Sequence, residues 1–172
     1  METKEIINRV ESSGLVTIDL ADYFPQEEIL IFDLKDFLFQ GLILREKDFR
    51  DALAQFDWKI YSGKLVSLNC SADAIIPSWA YMLVATYLEP YAKAILSGDI
   101  EQAENMLLVQ AIQSLDVNLF KDQRIVIKGC GEKKIPDSAF VEITRRLKPL
   151  VKSIMYGEPC STVPIFKQSK SS

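Results

Sequence analysis

Apolar residues in this chain fall into short blocks divided by turn-forming residues. Residues 16–20 and Ile29–Asp33 have the length and density of strands. Tyr23-Phe24-Pro25-Gln26 supplies a turn between them. Residues 64–69 and 124–128 are apolar enough to be buried strands. Residues 42–44 read as a further short strand, and 32–39 lie between a strand end and a short helix. Helices are expected over 46–56, 77–88, 136–147 and 101–114, with Asp99 as N-cap of the last. Pro77 and Pro136 suit a first helical turn, where a missing N–H costs nothing.

The second two-thirds of the chain repeats itself. Residues 57–98 align without gaps on 116–157, an offset of 59 (116 minus 57). The offset pairs Pro77 with Pro136, Ala80 with Ala139, Leu88 with Leu147, Pro90 with Pro149 and Gly98 with Gly157. With only 7 prolines in the chain, this shared spacing points to a duplicated unit: strand, cysteine loop, then a helix kinked at its second proline. A strand–helix–strand order predicts that 64–69 and 124–128 run parallel in one sheet, joined by a right-handed crossover. The expected fold class is α/β, a mixed sheet with helices packed on it. One domain is expected over 1–167, with a disordered tail at 168–172, as suits a chain of 172 residues.

Composition narrows the chemistry. There is no histidine, which removes Ser-His-Asp and Cys-His catalysis and imidazole metal ligands. A net charge of −4 lacks the basic footprint expected of a nucleic-acid binder. Charged residues interrupt the first fifteen positions, and no apolar stretch approaches the roughly 20 residues of a membrane span. Three cysteines, an odd and widely spaced set, fit reduced thiols, so a cytoplasmic location without membrane association is expected. No Walker motif, G-x-G-x-x-G or C-x-x-C occurs.

The candidate site is the pair of loops that follow the repeated strands. One reads Cys70-Ser71-Ala72-Asp73; the other reads Gly129-Cys130-Gly131-Glu132. Each sets a thiol and a carboxylate between a strand's C-terminal end and a helix N-terminus, the edge where open α/β sheets bind ligands. The helix end lowers a thiol pKa, whereas a carboxylate raises it. The ungapped offset places Cys130 on Ser71 rather than on Cys70. Three roles stay open for these cysteines. They are packing residues, or reactive thiols at Cys70 or Cys130, or ligands. As ligands, Cys70, Cys130 and Cys160 would bind iron, an iron–sulfur cluster or zinc, with Asp73 or Glu132 completing the shell. Asp33 and Asp36 read as a strand end and a helix cap rather than an acid pair. Trp58, Trp79, Tyr81 and Phe140 read as core aromatics, and Arg145, Arg146 and Lys148 as a solvated basic face.

The strings EKDFRDAL, NCSADAIIPSWAYML, VIKGCG and SIMYGEPCSTVP resemble a bacterial family of uncharacterised proteins, domain of unknown function 2480. The likeness covers nearly the whole chain. It implies that the cysteine-bearing strings around Cys70, Cys130 and Cys160 recur in the family. It also implies a gene neighbourhood close to the SUF genes of iron–sulfur cluster assembly. The role it implies is an accessory one in cluster assembly or delivery, with assembly proteins as partners. A thiol-dependent enzyme and an interaction module, such as a homodimer, are the other expectations.

Overall fold

The structure is a computed structural model and describes residues 8–10, 14–129, 131, 133–158 and 161–169. The fold class is α/β, with two sheets and four α-helices among the described residues. Two compact units are formed. One joins Met1–Phe24 to Leu107–Ser172; the other is the continuous stretch Pro25–Met106.

The continuous unit contains β3 (Ile29–Asp33), α1 (Glu46–Gln55), β4 (Leu65–Asn69), α2 (Ser78–Leu88) and β5 (Ala94–Ser97). Its three strands lie in the order β3-β4-β5, all parallel, with Ile29 beside Leu65 and Leu65 beside Ala94. Phe32, Val66 and Leu68 from the sheet pack with Phe49 and Leu53 of α1 and with Ala80, Val84 and Leu88 of α2. Trp58 and Tyr61, on a 3₁₀ turn, complete this core. Ser67 is the buried polar residue of β4; its hydroxyl donates to the Gly98 carbonyl at 2.7 Å. Ser67→Ala leaves that carbonyl without its donor and is expected to cost about 1 kcal/mol. Urea unfolding of the two proteins measures the difference.

The discontinuous unit contains β1 (Asn8–Val10), β2 (Leu15–Asp19), β6 (Arg124–Lys128), α4 (Asp137–Leu147), β7 (Ser153–Glu158) and β8 (Ser161–Lys167). Helix α3 (Ile100–Ser114) spans the boundary between the units, and its Leu108 and Ile112 belong to this core. The strand order is β1-β2-β6-β7-β8, with β2, β6 and β7 parallel and both edge strands antiparallel to their neighbours. Ile18, Ile125, Ile127 and Ile154 meet Ile143 and Leu147 of α4. The Arg146 guanidinium donates to the Ile112 carbonyl in the last turns of α3, a favourable end for a cation. Asp99 and Gln102 cap the start of α3 reciprocally: each side chain accepts from the other's backbone N–H, at 2.9 and 3.0 Å.

Three expectations are corrected. Residues 64–69 and 124–128 do not share a sheet. The neighbours of β4 are β3 and β5, and those of β6 are β2 and β7, so neither strand has a free side for the other. The helices do not continue, kinked, beyond their second proline. Pro90 has no N–H for the Thr86 carbonyl; Tyr91 and Ala92 donate to the Leu88 carbonyl in a closing turn, and Lys93 then donates to Lys64 as the chain enters β5. Pro149 does the same before β7, where Lys152 donates to Gln123. Finally, 42–44 is not a strand; an isolated bridge joins Phe39 to Ile43 instead. Of the predicted tail, 170–172 lie outside the described residues, and Gln168 donates its N–H to Lys152.

Candidate functional site

The β3-β4-β5 sheet ends, at its C-terminal edge, in the loop that carries Cys70. The chain leaves β4 at Asn69, passes Cys70 and Ser71, and reaches the first turn of α2 through Pro77. Cys70 is a half-buried free thiol whose Sγ lies 3.8 Å from the Ala72 carbonyl. Asp73 is exposed. The carboxylate that holds the loop is Asp33, at the end of β3. Its Oδ1 accepts the Ser71 N–H at 3.0 Å, and the same oxygen accepts the Lys35 N–H at 3.0 Å. One side chain therefore caps the 3₁₀ turn that follows β3 and fastens the Cys70 loop to the neighbouring strand end.

Desolvation works to raise the Asp33 pKa, yet the net shift is downward. The Ser71 hydroxyl, the two backbone N–H groups and the Lys35 ammonium all favour the charged form. Tyr81 of α2 completes the group. Partial burial raises its phenol above the ordinary value, and the nearby Cys70 and Asp33 push the same way. A thiol, a carboxylate and a hydroxyl thus share the adjoining ends of β3 and β4, with the Tyr81 phenol within electrostatic range of the thiol and the carboxylate.

The lowered Asp33 pKa has a defined consequence for stability. The carboxylate stabilises the fold fully above its unfolded value of 3.8. That contribution is lost as pH falls below 3.8 through the lower folded value. Asp33→Asn is therefore expected to be less stable than the parent at neutral pH, and the gap is expected to close in acid. Urea midpoints from pH 7 down to pH 2.5 measure it; a gap independent of pH would contradict the assignment.

In the other unit, the matching edge is the C-terminal end of β2, β6 and β7. Lys128, the last residue of β6, lies 3.0 Å from a Glu158 carboxylate oxygen at the end of β7 and 4.0 Å from Asp19 at the end of β2. Asp19 also caps the 3₁₀ turn after β2 by accepting the Ala21 N–H at 3.0 Å. Cys130, Glu132 and Cys160 lie outside the described residues. The structure therefore brings Cys70 together with Asp33, Ser71 and Tyr81, and leaves Asp73 in solvent. Among the described residues no group of three His, Cys, Asp or Glu side chains could hold a metal ion.

The aromatic candidates pack against the cores, Tyr81 included. Trp58 is buried, while Trp79, Tyr81 and Phe140 are partly buried against the two cores. Arg145 pairs with Glu142, and Lys148 lies over the Phe166 ring. Asp33 was legible only as a strand end; the cap expected of Asp36 is made by Asp33 instead, with Asp36 inside the turn. The second role of Asp33 depends on β3 lying beside β4, which no local pattern reveals.

No described helix is long and apolar enough to cross a membrane. Among curated proteins and among solved structures, nothing matches the chain. A family model described as a protein of unknown function (DUF2480) matches residues 4–168, nearly the whole length, and the chain belongs to that family.

Proposed function

We propose that the protein is an accessory factor of iron–sulfur cluster assembly that binds metal, cluster or an assembly partner through its cysteine loops. One observation carries the reading: each cysteine follows the C-terminal end of a parallel strand. Cys70 comes directly after β4, Cys130 two residues after the end of β6, and Cys160 two residues after the end of β7. Ligands of open α/β sheets bind at that edge, and thiolates select soft metals. The iron–sulfur part rests on the gene neighbourhood that the family resemblance implies. On the same reading the protein works in the cytoplasm, away from nucleic acid and membrane, and its two units act as one domain.

The test is iron, sulfide and visible absorbance on untagged protein purified without oxygen. Iron with sulfide is expected in the parent and is expected to be lost in Cys70→Ser. The proposal fails if replacing Cys70, Cys130 and Cys160 together changes neither metal content nor capture of assembly proteins.

A second reading, a thiol-dependent enzyme using Cys70, is favoured by the Tyr81 phenol and the Asp33 carboxylate beside it. It requires that Cys70 be alkylated selectively by iodoacetamide, with a pH profile that shifts in Asp33→Asn. Alkylation at the rate of a free thiol with an ordinary profile would rule it out.

The repeat belongs to the same proposal, as two copies of one βα module. The element bounds support it at the offset of 59: β4 and β6, α2 and α4, and the 3₁₀ turns Trp58–Tyr61 and Val117–Phe120 all start and end in step. Matching bonds run from Gly63 to Tyr91 and from Asp122 to Leu150, each at 2.9 Å. Gly63 and Asp122 both adopt positive φ.

A further inference from the structure

We draw no further inference here: the strongest candidate, the apolar groove of about 320 Å³ that Ile127, Phe140, Tyr156 and Ile165 line between α4 and the β7–β8 hairpin, is an unpartnered face, and nothing in the structure shows what covers it.

Discussion

Trp58→Ala is expected to lower the stability of the continuous unit by about 3–5 kcal/mol. The indole is only 6% exposed. It stacks on Phe32 at 5.4 Å and on Tyr87 at 5.1 Å, and meets Phe56 at 4.9 Å. Its Nε1–H donates to the Leu53 carbonyl, the last buried position of α1, at 2.9 Å. Truncation opens a cavity among packed rings and removes one of the two donors of that carbonyl, leaving it the Phe56 N–H at 3.3 Å. Against a net stability of about 5–15 kcal/mol, such a loss is large. Urea unfolding followed by far-ultraviolet circular dichroism measures it. Trp58→Phe separates the two causes: it keeps most of the ring volume and is expected to lose about 1–2 kcal/mol, from the hydrogen bond and the smaller ring. A loss under about 1 kcal/mol in Trp58→Ala would show that the aromatic cluster does not hold this core.

Gly157→Ala is expected to cost about 3 kcal/mol and to loosen the β7–β8 hairpin. Gly157 sits inside β7 at a φ of +119°, a conformation that side chains rarely adopt. An added Cβ would lie 2.6 Å from the Ser161 carbonyl oxygen, which is backbone and has little room to move. Gly157 faces Thr162 in the hairpin, so relief of the overlap must separate the two strands. Amide exchange along β8 is expected to accelerate in the variant, with little change at β3, β4 and β5. Unchanged exchange in β8 would show that the hairpin absorbs the methyl group. Gly98, its repeat counterpart, also has a positive φ of +103°, and an added Cβ there would lie 2.9 Å from Gln102 Cβ and overlap the Gln102 Oε1 that accepts the Asp99 N–H, so alanine is expected to be costly there too.

Much of this fold was legible along the chain. Residues 16–20 and 29–33 were read as strands within one residue of their bounds, and 101–114 as a capped helix, because apolar density and capping chemistry are local. Residues 94–97 lie beyond the proline at which the first repeated helix is expected to kink, and they form a strand instead. A four-residue apolar run carries no periodicity, and only pairing with Leu65–Leu68 makes it a strand. The sequence pattern assigns no element to 161–167; β8 forms there and tolerates Pro164 as an edge strand.

The same division holds for the candidate site and for the chain as a whole. By itself the sequence determined the α/β class, the spacing of 59 between matching segments, and the placing of cysteines just after apolar strands. Each depends on neighbours a few residues apart or on direct comparison of residues. Only the tertiary structure decided that the strands divide between two sheets, because pairing depends on which edges remain free. It alone made Asp33 the anchor of the Cys70 loop, since that hydrogen bond joins residues 38 positions apart across adjacent parallel strands.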